Sequence, residues 1–240
     1  MEILPGIEVI DLALRIGNNL IIADTHIGYE EAINKQGILI PRFQFREITE
    51  KLERIFQCCK LPIDTFILNG DVKHEFGTIS ETEWRDTLAL LDFIGSRIKR
   101  IVIVKGNHDT IIGPIAEKRD IQLVRQHIIK SGRQRILLIH GHIIPERLPA
   151  CDVIIIGHQH PAITLRDGVR SELYKCFLKG KYKKRDIIVI PAFTLVSEGT
   201  DILRETLSPF LEQDIDDFYV YPVADSVYEF GRVRDMRMSG

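Results

Sequence analysis

Side chains of the kind that bind metal ions follow five short apolar segments of the sequence, at the point where each segment ends. These five clusters contain seven of the eight histidines of the chain. Each cluster taken singly is also a common turn sequence, but turn formation does not account for all five together. The clusters are Asp24-Thr25-His26, Asn69-Gly70-Asp71-Val72-Lys73-His74, Lys105-Gly106-Asn107-His108-Asp109, His140-Gly141-His142 and Gly157-His158-Gln159-His160.

The types of ligand in these clusters limit the choice of ion. Carboxylate, imidazole and carboxamide groups without a thiolate suit Mn²⁺, Fe or Zn²⁺, and disfavour Cu(I) or an iron–sulfur cluster. The candidate ligands outnumber those that one open catalytic ion keeps, so we expect two ions. Paired ions roughly 3.5–4 Å apart clamp the oxygens of an in-line displacement and generate hydroxide near neutral pH. The clusters therefore predict hydrolysis of a phosphoester.

The elements that must position these clusters are strands of a parallel sheet. Six short segments rich in Ile and Val are typical of strands buried on both faces. Apolar residues from Phe45 to Cys59, spaced by three and four, predict one helix, and the capping-box sequence Ser80-Glu81-Thr82-Glu83 predicts the start of another. Ligands of open α/β sheets bind at the carboxyl ends of the strands, so the clusters should converge there. The six segments are 20–23, 65–68, 101–104, 136–139, 153–156 and 187–190.

The second half of the chain is richer in strands that follow one another closely. We expect one hairpin from Leu173 through Lys179-Gly180 to Ile190, and another from Phe218 to Phe230 that turns at 222–226. No internal repeat or linker divides the sequence. These patterns predict a single α/β domain over residues 1–240, with two packed sheets and helices outside.

Composition excludes several classes of protein. The chain is 45% hydrophobic and 28% charged, which is ordinary globular usage and excludes disordered and collagen-like chains. A net charge of -2 argues against nucleic-acid-binding charge over the whole surface and permits a local basic patch. Four cysteines without a Cys-x-x-Cys spacing, an acidic N-terminus and the lack of a long apolar run predict a soluble, cytoplasmic protein without a membrane partner.

The ordered set Asp-x-His, Gly-Asp, Gly-Asn-His-Asp, His-Gly and Gly-His-x-His resembles the calcineurin-like metallophosphoesterases, from about Leu20 to His160. The resemblance implies a four-layer α-β-β-α sandwich of two mixed β-sheets and two divalent metal ions, with Mn²⁺ expected first and Fe or Zn²⁺ as alternatives. Asp71 would bridge the two ions, and His108 matches the catalytic histidine that protonates the leaving oxygen. The implied ligands are Asp24, His26, Asp71 and His160 for one ion, and Asp71, Asn107, His140 and His158 for the other.

His74 departs from the pattern of the wider family. Many members carry an aspartate at this position, where it orients the catalytic histidine. A histidine here resembles archaeal phosphoesterases related to the nuclease subunit of the double-strand-break repair complex, in which it lies near the phosphate. We expect His74 to face the substrate, with a structural role as the alternative; Asp109 is expected to be a turn or cap residue.

The nuclease resemblance implies DNA as the substrate and a role in DNA repair. Lys181, Lys183 and Lys184, in a basic segment that includes Tyr182, are expected to hold the nucleic-acid backbone while the tyrosine stacks on a base. The alternative is that these lysines protect a sheet edge from aggregation. The segment Gly28–Pro41 is a further candidate for one wall of the cleft.

Other functions stay open at this point. The repair nucleases carry a capping domain and an ATPase-binding segment, which are not evident after Gly199, and this argues against an ATPase partner. A phosphodiesterase for small molecules or cyclic nucleotides is the alternative enzyme, and a protein-binding scaffold with a degenerate site is the non-enzymatic one. The oligomeric state has no signature in the sequence.

Overall fold

Two mixed β-sheets pack face to face in the computed structural model, which describes residues 1–77, 79–168 and 170–237. The first sheet has seven strands in sequential order, antiparallel from β1 to β4 and parallel from β4 to β7. Its strands are β1 (Glu2–Leu4), β2 (Ile7–Ile10), β3 (Ala13–Ile16), β4 (Asn19–Ile22), β5 (Thr65–Asn69), β6 (Arg100–Val104) and β7 (Gln122–Val124). The helices of this half are α1 (Tyr29–Lys35), α2 (Gln44–Cys58), α3 (Glu81–Gly95) and α4 (Gly113–Glu117).

The second sheet follows the order β14-β11-β12-β13-β10-β9-β8, and β15 pairs with β12 as well. Strands β9, β10 and β13 are parallel neighbours, so their carboxyl ends lie at one edge. The strands are β8 (His127–Ser131), β9 (Gln134–Leu138), β10 (Val153–Ile156), β11 (Pro161–Asp167), β12 (Arg170–Tyr182), β13 (Arg185–Val189), β14 (Thr200–Asp201) and β15 (Tyr219–Pro222). A 3-10 turn (Pro209–Leu211) and α5 (Val233–Arg237) complete this half.

Three apolar layers hold the sheets and their outer cover together. Ile67 of β5 and Ile155 of β10 belong to the layer between the sheets. Leu52 of α2 and Leu91 of α3 cover the outer face of the first sheet. The outer face of the second sheet is covered by the segment 202–218 and by α5. The predicted four-layer α-β-β-α sandwich is confirmed, and its fourth layer is mostly irregular chain.

The sequence interpretation was right for all six predicted strands and both predicted helices, and it was incomplete elsewhere. It missed strands β1 to β3. It also placed the first hairpin turn at Lys179-Gly180, whereas both residues lie within β12 and the turn falls at Lys183, whose φ is 55°. Gly180 is required for close packing, because a Cβ there would overlap the ring of Phe218.

The capping box at the start of α3 forms only in part. The Ser80 hydroxyl accepts a hydrogen bond from the Glu83 amide at 3.1 Å, as predicted. The Glu83 carboxylate does not return the bond to Ser80 and accepts instead from the amides of His74 and Glu75. In the described ranges, no helix has both the length and the apolar character needed to cross a bilayer.

Candidate metal centre

The five polar clusters meet at one edge of the molecule, where strand ends of both sheets come together. The ends of β4, β5 and β6 bring clusters from the first sheet, and those of β9 and β10 bring clusters from the second. Asp24, from the first sheet, has its Oδ1 atom 3.4 Å from His160 Nε2 and 3.6 Å from His140 Nδ1, both from the second. The strand-end rule thus predicted the convergence correctly.

Three groups of three potential metal-binding side chains in the described ranges have their ligand atoms within 4.8 Å of one another; two consist of candidate ligands, and the third is His26, His74 and His108. Within the first group, the Nε2 atoms of His26 and His160 are 3.2 Å apart. Asp71 Oδ2, from the second group, lies 3.2 Å from His140 Nε2 and 3.9 Å from His26 Nε2. Asp71 therefore lies between the groups, where a bridging carboxylate is needed. The two groups of candidate ligands are Asp24, His26 and His160, and Asp71, His140 and His158.

The donor atoms fit a pair of divalent cations. Asp24 Oδ1 is buried and has no hydrogen-bond partner, although the other oxygen of the same carboxylate accepts from the His158 amide at 3.0 Å. A buried carboxylate oxygen without a partner is costly unless a cation or a donor meets it. Asn107 Oδ1 lies 3.1 Å from His140 Nε2, so the carboxamide joins the second group. The set contains the oxygen and nitrogen ligands typical of Mn²⁺, Fe or Zn²⁺.

The backbone is strained at the candidate ligands. Of the eight non-glycine residues with positive φ in the described ranges, five are candidate ligands, with φ between 44° and 62°. Such conformations cost roughly 1–3 kcal/mol each and persist where the surroundings impose them, often at functional sites. Here the left-handed backbone conformation turns the chain at each strand end, so that the side chain points toward the shared centre. The five residues are Asp24, His26, Asp71, His158 and His160.

Two motif glycines give the ligands room. A Cβ at Gly70 would overlap the ring of His140, and a Cβ at Gly106 would overlap the carboxylate of Asp71. The Gly-Asp and Gly-Asn-His motifs therefore require glycine because each chain segment passes directly against a ligand of another strand.

Protonation differs among the buried ligands. Burial alone would raise the pKa of Asp24, but the charges of His160 and His140 hold it below its usual range. Burial and the nearby imidazoles lower the pKa of His26 to about 3 and that of His158 to about 4. Burial opposes protonation of His140 as well, but its hydrogen bond to Asp71 and the two nearby carboxylates raise its pKa to about 9. Of His26, His140 and His158, only His140 is therefore doubly protonated and positively charged at neutral pH in the metal-free protein.

His108 lies beside the two groups and is held by its backbone and its ring. Its amide donates to Asp71 Oδ1 at 2.9 Å, and its Nε2 lies 3.8 Å from Asp71 Oδ2. Nδ1 is hydrogen-bonded to the carbonyl oxygen of His74. Because a carbonyl only accepts, Nδ1 carries the proton and Nε2 is free to exchange one with a substrate.

Comparison with known proteins identifies the family. A model of the calcineurin-like phosphoesterase family matches residues 19–221 of the chain. The chain belongs to the calcineurin-like phosphoesterases. This membership supports phosphoesterase chemistry and a centre for divalent metals, in agreement with the resemblance drawn from the motifs. Comparison with curated proteins gives no match.

Solved structures share the fold of this phosphoesterase. A crystal structure of the Pseudomonas putida nuclease MPE is 21% identical, covers 92% of each chain and superposes with a TM-score of 0.61. Vps29 from Chaetomium thermophilum is 17% identical over 86% of this chain and 81% of its own, with a TM-score of 0.41. The first of these similarities supports the two-sheet fold.

Aromatic rings extend from the phosphoesterase site to the surface. The Tyr29 ring stacks on His74 with centroids 4.2 Å apart, and His74 stacks on His108 at 5.4 Å. Phe76 lies 3.7 Å from the His108 ring and is 59% exposed. We call Tyr29, His74, Phe76 and His108 the aromatic wall. His74 lies beside the catalytic candidate His108, and Tyr29 belongs to the segment Gly28–Pro41, which was predicted to form one wall of the cleft.

Several supporting residues were missed by sequence reasoning. Gln44, fully buried at the start of α2, donates to the carbonyl oxygens of Thr25 and His26 and to the hydroxyl of Thr194. Lys175 donates to the carbonyl oxygens of Ala192 and Thr194. The Gln44 bonds hold the loop that carries His26, and the Lys175 bonds hold the segment 192–194, whose Thr194 amide donates to the carbonyl oxygen of Asp24. Asp109 matches its predicted structural role, because its carboxylate accepts from the amides of Val72 and Gly106.

The basic segment lies away from the phosphoesterase site, and its predicted contact with a nucleic-acid backbone stays a prediction. The turn at Lys183 and Lys184 is at the amino end of β13, level with Asp152, because Asp186 pairs with Val153. His158 is six residues further along, or about 20 Å at the rise of a strand. Lys181 forms an ion pair with Asp186 at 2.7 Å. Tyr182 is buried against Phe210 and has no free face for a base.

Proposed function

We propose that this protein is a two-metal phosphodiesterase that cleaves DNA. The observation that carries the proposal is the position of Asp71, which belongs to the group with His140 and His158, faces His26 of the other group and also holds the backbone of His108. Asp24, His26, Asp71 and His160 would hold one ion, and Asp71, Asn107, His140 and His158 the other. When bound, the two cations supply Lewis acidity toward phosphate oxygens and lower the pKa of water.

The protein's own groups supply orientation and a proton. His140 Nδ1 donates to the carbonyl oxygen of Asn69 at 3.2 Å, which directs Nε2 toward Asp71. In its doubly protonated form, His108 would deliver the Nε2 proton to the leaving oxygen and return to the neutral Nδ1–H tautomer, because the Nδ1 proton is already bonded to the carbonyl oxygen of His74. General acid help of this kind contributes roughly 10²–10⁴ in rate. A scaffold protein without chemistry would not need a histidine that is free to give up a proton at this position.

The aromatic wall supports a nucleic-acid substrate over a small diester. Phe76 presents an exposed ring next to His108, where a base attached to the scissile phosphate can stack. Stacking of a base on an aromatic side chain stabilises binding by roughly 1–3 kcal/mol. The fold is shared with a bacterial nuclease, and DNA is therefore the first substrate to test.

The test is a substrate panel with Mn²⁺ that contains single-stranded DNA, duplex DNA, RNA, a small methyl aryl diester and a monoester. We expect cleavage of DNA and slower hydrolysis of the diester. Phe76→Ala should raise KM for the DNA about 5- to 150-fold, the equivalent of one lost stacking contact. Phe230→Ala is the matched control, because Phe230 is 48% exposed and lies beside Arg166, near the far end of β11.

The panel also separates the alternatives. Hydrolysis of the small diester without cleavage of any nucleic acid would favour a small-molecule phosphodiesterase. Failure to hydrolyse every compound, with two metals bound, would refute the enzymatic proposal.

A further inference from the structure

A buried carboxylate outside the metal centre contacts the loop that orients His108. Glu83 is fully buried in the first turn of α3, and a Cβ added at Gly28 would lie 2.9 Å from its Cγ atom. Its position is the one from which a capping-box glutamate would bond to Ser80. The carboxylate is instead directed at the loop that follows Asp71.

One oxygen of Glu83 fixes two consecutive peptide groups. Glu83 Oε1 accepts from the amides of His74 and Glu75, each at 2.8 Å. The His74 amide also donates to the carbonyl oxygen of Ile27 at 2.9 Å. A carboxylate accepting backbone amides makes charge-assisted bonds, which are about twice as strong as neutral ones.

The peptide group between His74 and Glu75 connects this carboxylate to His108. In a trans peptide, the carbonyl of one residue and the amide of the next lie in one plane and point in opposite directions. The Glu75 amide points to Glu83, and the His74 carbonyl on the other side accepts the Nδ1 proton of His108. Holding the amide therefore fixes the direction of the carbonyl, and the charge next to the amide makes the carbonyl a better acceptor.

We propose that Glu83 is a positioning residue for the hydrolytic reaction, which acts through the 74–75 peptide group to hold His108 with Nδ1 protonated and Nε2 facing the substrate. The inference rests on the proposed function. Many relatives are expected to orient the catalytic histidine with an aspartate at the position of His74. Here the Glu83 carboxylate and the His74 backbone carbonyl would orient His108 instead. His74 then has two roles. Its carbonyl oxygen accepts the hydrogen bond from His108, and its ring belongs to the aromatic wall.

Kinetics of three variants test the proposal. Glu83→Ala frees the peptide group and should lower kcat on the order of 10–100-fold, with KM and metal content close to wild type. Glu83→Gln keeps a side-chain oxygen that can accept hydrogen bonds from both amides. It should restore kcat to within about threefold of wild type, because loss of the negative charge weakens these two hydrogen bonds without removing them. Glu81→Ala removes an exposed acid from the same helical turn and should have no effect, which controls for loss of charge at the helix start.

A double-mutant cycle separates positioning from general stability. In a His108→Ala background, Glu83→Ala should cause little further loss of kcat, because the group that it positions is gone. An equal loss in both backgrounds would overturn the proposal, as would a kcat for Glu83→Ala within about threefold of wild type.

Nitrogen-15 NMR of the imidazoles reads the tautomer without any need for activity. In Zn²⁺-loaded wild type and Glu83→Gln, His108 should be protonated at Nδ1, whereas Glu83→Ala should show a mixture of tautomers. An unchanged tautomer in Glu83→Ala would overturn the proposal. If the wild type hydrolyses no phosphodiester, the proposed function fails and this spectrum alone decides the role of Glu83.

Discussion

Metal binding to this protein should compete with one particular proton, that of His140. The ring is buried and both nitrogens face acceptors, with Nε2 3.2 Å from Asp71 Oδ2 and Nδ1 3.2 Å from the carbonyl oxygen of Asn69. Burial opposes the charge, but the hydrogen bond to Asp71 and the charges of Asp24 and Asp71 prevail and raise the pKa of His140 to about 9.

The size of the competition follows from this pKa. A metal ion binds Nε2 only after the proton has left. At pH 7, about two pH units below the pKa of His140, displacement of this proton lowers the apparent metal affinity on the order of 100-fold. His26 and His158 have pKa values of about 3 and about 4 and are neutral at this pH, so they add nothing to the competition. Affinity should therefore rise up to about tenfold per pH unit from pH 7 to 9 and then level off.

The same shift affects the stability of the metal-free fold. The folded pKa of His140 lies above the ordinary value of about 6.5, so protonation stabilises the folded state. This contribution is complete below about pH 6.5 and is lost as the pH rises through 9.

Two measurements check the reasoning. NMR titration of the metal-free protein should show His140 titrating near pH 9, and chelator competition should give the metal affinity at each pH. The matched variant is metal-free Asp71→Asn, in which the pKa of His140 should fall because the hydrogen-bonded carboxylate is gone. Titration of His140 at or below pH 6.5 in the wild type, or a titration that Asp71→Asn does not move, would refute the reasoning.

Four further predictions concern single sites. Asp71→Ala should lose both metals, because its carboxylate would bridge them and screen their repulsion; metal analysis that finds two ions at wild-type affinity would contradict this. His108→Ala should keep both metals while kcat falls roughly 10²–10⁴-fold, and steady-state activity within a few-fold of wild type would count against the general-acid role. Gly106→Ala should weaken metal binding about 10–100-fold by displacing Asp71, whereas Gly113→Ala, where a Cβ meets no atom within 4 Å, should not. Simultaneous replacement of Lys181, Lys183 and Lys184 by glutamine should leave the hydrolysis rate and the salt dependence of DNA binding unchanged, and a flatter salt dependence in binding titrations would restore them as DNA contacts.

The parallel strands were predictable because their sequences leave few alternatives. Runs such as Ile101–Val104 and Val153–Ile156 are short, β-branched and bounded by polar clusters, and both form strands. The strands before β4 were missed although a signal was present. Ile7 and Val9 are buried while Glu8 between them is exposed, which is the alternation of a strand with one face in water.

The site was predictable as a set of side chains and not as an arrangement of backbone. Imidazole and carboxylate ligands are visible in the sequence, and the strand-end rule brings them together. The carbonyl of His74 that orients His108 has no sequence signature, since every residue carries one. The bond of Gln44 to Thr194 joins residues that are 150 positions apart in the sequence, and it depends on how the two halves of the chain pack. The hairpin turn was placed at Lys179-Gly180 because glycine is typical of turns, whereas here Gly180 lies within β12 and makes room for the ring of Phe218.

The candidate metal centre lies between the two sheets, so metal binding and the folding of the protein affect each other. Asp24, His26, Asp71 and Asn107 come from the first sheet, and His140, His158 and His160 from the second. Backbone hydrogen bonds connect the two halves at this edge. The Phe193 amide donates to the carbonyl oxygen of Ala23 at 2.8 Å, and the Thr194 amide donates to that of Asp24 at 3.1 Å. A cation held by ligands of both sheets binds only the packed arrangement, so its binding free energy adds to the stability of that arrangement. The strain in the ligand loops works in the opposite direction, because each left-handed residue costs free energy that the packed sheets must offset. Metal binding and sheet packing therefore stabilise each other at this edge, where Gln44 at the start of α2 also connects the two halves through its bonds to His26 and Thr194.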